Sequence, residues 1–210
     1  EVITKLISAL EDESEYVRYY ACQALGDMGE KAATNEVITE LINALEDESE
    51  SVRYYACQAL GAMGKKVATN EVITKLVNIH DDDGKLSYQA KNAIDDILQS
   101  SSIMIAFGPV LISKLCLCGR PLDCLKNVSL NELIRKFFDT QDADWLLPVT
   151  EIAFQKGAAV LINEDKLMVY DNEELIELRA PNLKLHNELI KAFTNKAKAL
   201  HLSFAIPSNP

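Results

Sequence analysis

Residues 1–35 read EVITKLISALEDESEYVRYYACQALGDMGEKAATN, and residues 36–70 read EVITELINALEDESESVRYYACQALGAMGKKVATN. The two stretches differ at six positions: Lys5/Glu40, Ser8/Asn43, Tyr16/Ser51, Asp27/Ala62, Glu30/Lys65 and Ala32/Val67. So many identities at one fixed offset mark an internal duplication with a 35-residue period. EVITKL returns at 71–76 and opens a third, more divergent unit, 71–99.

Each unit predicts two helices. In the first, Ile3, Leu6, Ile7 and Leu10 recur at helical spacing and form one apolar stripe. The polar run Glu11–Glu15 breaks it. Ser14 stands where an N-cap would open the second helix, with Glu15 in the first turn, where the helix dipole favours an acid. Val17, Ala21, Ala24, Leu25 and Met28 are expected to face the core. Gly26 and Gly29 are expected to weaken the helix end, and Asn35 to cap the next unit's first helix. A lone two-helix unit cannot bury its apolar stripes, so such units stack into an α-solenoid and share a continuous core. In the third unit, matching Ala90–Ile94 to Ala21–Leu25 requires one deletion, and Ser87 then stands where Arg18 and Arg53 were. A degenerate last unit suits a capping position.

The run Asp12…Val17-Arg18…Ala24-Leu25-Gly26…Gly29, with its copy Asp47…Val52-Arg53…Ala59-Leu60-Gly61…Gly64, resembles the HEAT family, particularly its phycobilisome-lyase-like subclass. That resemblance covers residues 1–99 and implies an extended α-solenoid that binds other proteins, mostly through its second helices. It also implies that the turn Asp and the helical Arg form a ladder between units, a role that falls on Asp12, Asp47, Arg18 and Arg53. The third unit keeps Asp81 but lacks the Arg, so the ladder is expected to end there.

Ser100–Ser102 mark a change of composition, and no 35-residue period continues beyond them. Residues 103–210 read as a small α+β module with no recognised family. Ser129-Leu130-Asn131-Glu132 is a capping-box pattern opening a helix to about Phe138. A second helix is expected over Leu146–Lys156, with Pro148 tolerated in its first turn. Alternation at Val160 and Ile162, then at Leu167 and Val169, followed by Leu175–Leu178, predicts a short antiparallel meander. Leu185, Leu189, Phe193 and Leu200 are expected near one face of a final helix. Helices followed by a hairpin loosely echo a winged helix.

Charge divides along the same line. Residues 1–100 hold 9 Lys/Arg against 19 Asp/Glu, whereas residues 101–210 hold 12 against 13. The acidic half repels phosphate and the other half is not basic, so nucleic acid is not an expected partner. Basic protein surfaces are the natural complement. The chain opens at Glu1 inside the periodic pattern, from which a piece of a longer repeat protein is expected. Its most apolar stretch, Ile103 to Cys118, is interrupted by Gly108, Pro109 and Lys114 and reads as buried rather than membrane-spanning. Five cysteines without a secreted framework fit reduced thiols in the cytoplasm.

The candidate binding residues are Tyr16, Tyr19, Tyr20 and Gln23, with Tyr54, Tyr55 and Gln58 repeating most of that surface. Tyrosine pairs a large apolar face with a hydrogen-bonding tip, which suits interfaces. The alternative is that one ring of each pair packs between units. Cys116, Cys118 and Cys124 have ligand chemistry, but a structural zinc needs a fourth ligand and none is near in sequence. A HEAT-type iron enzyme of the deoxyhypusine hydroxylase kind uses His-Glu pairs, whereas here the pairs are His80-Asp81, His186-Asn187 and His201-Leu202. The run Asp81–Gly84 lacks the alternating ligands of a calcium loop. Read together, these features predict a non-enzymatic protein-interaction scaffold with no cofactor, no metal, no small-molecule substrate and no membrane. The alternatives are a HEAT-type metalloenzyme, and a metal-binding or nucleic-acid adaptor acting through 103–210.

Overall fold

A computed structural model describes residues 1–79, 87–99, 101–157, 159–163, 166–171, 174–178 and 183–200. The readings placed on His80, on 81–84 and on His201 lie outside them. The chain divides into two compact units, the first comprising Glu1–Ile103 with Leu117–Cys124, the second Met104–Cys116 with Leu125–Pro210.

The first unit is a stack of three helix pairs: α1 (Val2–Ala9) with α2 (Glu15–Met28), α3 (Asn35–Ala44) with α4 (Glu50–Met63), and α5 (Asn70–Val77) with α6 (Tyr88–Ile97). The second helices pack side by side, α2 on α4 and α4 on α6. Small residues permit this. A Cβ added at Gly26 would lie 3.1 Å from Ala59 Cα, and one at Gly61 would lie 3.2 Å from Ala93 Cα. Gly26 and Gly61 therefore sit within their helices to admit the neighbouring backbone, and do not weaken the helix end as expected. The ending is the work of Gly29 and Gly64, which adopt φ of 56° and 57°, a region that disfavours residues with a Cβ.

The expected caps are redistributed. Ser14 holds the N-cap position of α2, but its side chain makes no cap bond. Asp12 Oδ1 accepts from the Ser14 N–H instead, at 2.8 Å. Thr34, not Asn35, caps α3, its hydroxyl accepting from Val37 N–H at 3.3 Å, and Thr69 caps α5 in the same way. A β-hydroxyl in extended backbone reaches the third helical N–H, whereas Asn35 has already entered the first turn.

Leu25, Leu41, Leu60, Leu76 and Ile94 are fully buried along the shared core. Identical residues differ in burial according to their neighbours. Val52 is fully buried, whereas its copy Val17 is 39% exposed. Ala24 and Met28 are likewise half-buried where Ala59 and Met63 are buried. Among the described residues the first pair packs against the second pair alone, and Val17 has less cover there than expected.

The far side of the stack is closed by 117–124, which contributes buried Cys118, Leu122 and Cys124. Lys91 Nζ donates to Asp95 Oδ2 at 2.7 Å and to Asp123 Oδ2 at 3.0 Å, while Asp95 Oδ1 accepts from Cys124 N–H at 2.7 Å. Lys91 and Asp95 occupy the positions that are Cys and Gly in the first two units. The third unit has thus exchanged a helix-packing surface for an ion pair that holds its cap.

In the second unit, α10 (Leu146–Gln155) packs against α8 (Gly108–Cys116), α9 (Leu130–Thr140) and α11 (Leu183–Ala199). Phe137, Val149, Ile152, Leu189 and Phe193 are fully buried within it. Ser129 caps α9 through its hydroxyl, which accepts from Glu132 N–H at 3.3 Å. Lys196 binds both carboxylate oxygens of Glu151 at 2.7 Å. The apolar stretch after 103 forms α7 (Ser101–Ala106) and α8, parted at Gly108 by a φ of 79°. Three strands, β1 (Ala159–Asn163), β2 (Lys166–Asp171) and β3 (Glu174–Leu178), form the antiparallel meander, with Val160 opposite Val169 and Val169 opposite Ile176. Leu185 and Leu189 are buried as expected, but Leu200 is 46% exposed because α11 ends at Ala199.

Gly26→Ala is expected to destabilise the fold by about 1–3 kcal/mol through overpacking, although alanine alone would favour the helix by about 1 kcal/mol. Urea denaturation measures this, and a stabilised variant would show that the close approach of α2 and α4 is not limiting.

Candidate protein-interaction face of the second helices

A charged clamp holds the solenoid at the loops that open α2 and α4. Arg18 donates from Nε to Asp47 Oδ2 at 2.8 Å and from Nη2 to Asp47 Oδ1 at 2.9 Å. Its Nη1 binds the backbone carbonyls of Asp12 at 2.9 Å and Glu13 at 3.1 Å. One planar guanidinium therefore ties the loop of its own unit to the loop of the next, using the fork geometry that lysine lacks. Arg53 repeats the backbone half of this pattern, binding the carbonyls of Asp47 at 2.8 Å and Glu48 at 3.0 Å. Asp12, at the opening of the stack, spends a carboxylate oxygen on the Ser14 N–H.

The clamp sets the charge of Asp47. Burial works against its carboxylate, but hydrogen bonds from the Arg18 side chain and the Ser49 backbone outweigh that and hold its pKa below the usual aspartate value. The Arg18 pKa is raised by its hydrogen bond to Asp47.

The aromatic residues divide by helix rather than by sequence copy. Tyr19 of α2 stacks on Tyr55 of α4, with ring centroids 5.3 Å apart and planes inclined by 18°. Tyr20, the copy of Tyr55, is 59% exposed, and Tyr54, the copy of Tyr19, is 42% exposed. Tyr16 is also exposed, at the first turn of α2. The hydroxyl of Tyr19 is pushed up to about 12 by its hydrogen bond to Tyr20 and by burial. So the stack of Tyr19 on Tyr55 joins two units, while Tyr16, Tyr20 and Tyr54 present their rings outward. Gln23 is half-buried and Gln58 exposed on the same helices.

Beyond the residues expected from sequence, α6 adds Gln89, Asn92 and Asp96. With Tyr54, Gln58 and Ala93 they line a cleft of about 190 Å³ between α4 and α6. The signal was present: the alignment that places Ala90–Ile94 on Ala21–Leu25 also places Asn92 on Gln23 and Gln58. Each second helix therefore carries one carboxamide at the same position.

None of the five cysteines forms a disulfide. Burial pushes Cys22 and Cys57 up to about 12, and raises Cys124 as well. The Cys118 thiol donates to the Arg120 carbonyl at 3.1 Å. Among the described residues no group of three or more His, Cys, Asp or Glu is placed to hold a metal ion. None of the described helices is long and apolar enough to cross a membrane.

Compared with known proteins, residues 3–94 match the family of HEAT repeats. No curated protein matches the chain. HEAT repeats generally mediate protein–protein interaction and are typically not catalytic.

Two outcomes follow from the clamp and the thiols. A depressed carboxylate pKa contributes stability above the unfolded value and loses it as pH falls through the folded one. Thermal stability should therefore drop as pH falls from about 4 through the lowered value of Asp47. Asp47→Asn should melt several degrees lower at neutral pH and show a shallower acid limb, and an unchanged limb would remove the clamp from the pH response. With iodoacetamide, half-buried Cys116 should label first in the native protein, and Cys22, Cys57 and Cys124 only after unfolding. Mass spectrometry reads the order, and early labelling of Cys22 would contradict the burial of the solenoid core.

Proposed function

We propose, from the premise that residues 3–94 are a HEAT-repeat segment, that this protein is a non-enzymatic scaffold whose second helices hold a protein partner in the cytoplasm. The observation that carries the reading is the outward presentation of Tyr16, Tyr20 and Tyr54 on consecutive second helices, while Tyr19 and Tyr55 are consumed in stacking. A buried tyrosine anchor commonly dominates the energy of an interface, because a rigid ring covers much area at small entropic cost. Gln23 and Gln58 supply hydrogen bonds beside those rings. Arg18 and Asp47 serve the ladder that keeps the units in register, while Asp12 and Arg53 brace the loops of their own units. The cytoplasmic assignment is supported by five cysteines that form no disulfide. The strongly acidic repeats favour partners with basic surfaces.

The test compares two double variants as baits in cell extract. Tyr20→Ser with Tyr54→Ser should lose captured proteins while melting close to the parent. Tyr19→Ser with Tyr55→Ser should lower the melting temperature by several degrees, because a stacked pair between units is lost. If the first variant stays folded and keeps every partner, the second-helix face is not the interaction surface.

A further inference from the structure

Three features outside the tyrosine face invite a role: the cap cluster around Lys91, the one-sided first pair, and the α4–α6 cleft. The Lys91 cluster is internally satisfied, since Asp95, Asp123 and Cys124 take up its charges and donors. The exposed apolar side of α1 and α2 has nothing beside it that selects an occupant. The cleft is different, because two of its features and one parallel elsewhere in the stack select the same chemistry.

The first is a carboxylate with no cation. Asp96 faces the cleft and makes no ion pair with any described residue, and the nearby Lys91 is committed to Asp95 and Asp123. Asp96 is exposed overall, but partial desolvation raises its pKa and the neighbouring Asp95 raises it further, against a lowering by Lys91, so a cation arriving there relieves both. Gly61 makes room for this group: a Cβ at 61 would stand 3.2 Å from Asp96 Oδ2.

The second is an aromatic wall held in place. Tyr54 packs edge-on with Tyr55 at 5.1 Å and 79°, and Tyr55 is itself fixed by Tyr19. The third is an internal precedent. Tyr88 occupies in the third unit the position that Tyr54 occupies in the second, and the Arg120 guanidinium lies 3.9 Å from the centre of its ring. The same repeat position thus already receives an arginine once within this chain.

We infer that the cleft between α4 and α6 is a seat for an arginine side chain of a partner protein, with the guanidinium on Tyr54 and Asp96 and the carboxamides of Gln58, Gln89 and Asn92 binding its main chain. Arginine suits the site better than lysine, since its plane stacks on an aromatic face while its fork meets a carboxylate. The carboxamides offer both donors and acceptors, which match an extended peptide that has no internal hydrogen bonds. The acidic first half of the chain adds long-range attraction for such a segment. This seat rests on the reading of the second-helix face as an interaction surface and names what that surface selects.

The experiment titrates the full chain with N-acetyl-arginine methylamide, and separately with the neutral isostere N-acetyl-citrulline methylamide, followed by ¹H–¹⁵N spectra. The side-chain amide signals of Gln58, Gln89 and Asn92 should move with the arginine compound and not with citrulline. Asp96→Asn should weaken the response by about tenfold or more, and Tyr54→Leu should weaken it as well. Asp27→Asn, which removes an equal charge from the first unit, should leave it unchanged. Equal responses to arginine and citrulline, a response that survives Asp96→Asn, or shifts spread evenly over the acidic surface would each overturn the seat. If the parent captures partners through Tyr20 and Tyr54 yet shows no arginine response, the seat fails and the interaction face stands. If the tyrosine variant keeps every partner, that face fails whatever the titration shows.

Discussion

The stack depends on how closely α2 can approach α4, and α4 approach α6. Two helices bring their backbones this near only where one offers no side chain, and Gly26 against Ala59 and Gly61 against Ala93 supply that gap. Much else follows from the spacing. Leu25, Leu60 and Ile94 meet in one core because the second helices lie side by side. The loops opening α2 and α4 come near enough for Arg18 to bind Asp47 with two hydrogen bonds. Tyr19 reaches Tyr55 across the same gap. A bulkier residue at either glycine would loosen the core, the clamp and the ring stack together.

The third unit shows what happens when the small-residue rule is relaxed. Asp95 stands where Gly26 and Gly61 stood, and among the described residues no further repeat packs on that surface. A segment from beyond the repeats covers it instead, held by backbone and side-chain bonds to Asp95 and Lys91. A charge on a packing surface is costly unless it is bonded, and here both members of the pair are mostly buried and fully engaged. The drift of the third unit thus reads as adaptation to a different neighbour.

Sequence copies do not make equal environments. Val17 and Val52, or Tyr20 and Tyr55, are the same residue at the same repeat position, yet one of each pair is exposed and the other is covered. The α4 copy lies between two neighbours, and the α2 copy lies beside one. The difference matters for the interaction face, because beside Tyr16 the outward rings are Tyr20 and Tyr54, which no simple copying of one unit onto the next would pair.

Periodicity by itself determined the helix pairs, their 35-residue repeat, the break at the polar loops and the solenoid they build, because a two-helix unit with apolar stripes has no other way to bury them. Alternation at 160–178 likewise sufficed for the meander. Tertiary structure alone decided which tyrosines face outward, since rings at adjacent positions differ only in which neighbour they meet. It also decided that Gly26 spaces helices while Gly29 ends one, a distinction between close approach and positive φ that two similar glycines conceal. The return of 117–124 onto α6 was beyond local pattern, because a cap is defined by the surface it covers. The cleft beside Asp96 has the same origin: that aspartate of α6 meets Tyr54 and Gln58 only because α4 stands across from it.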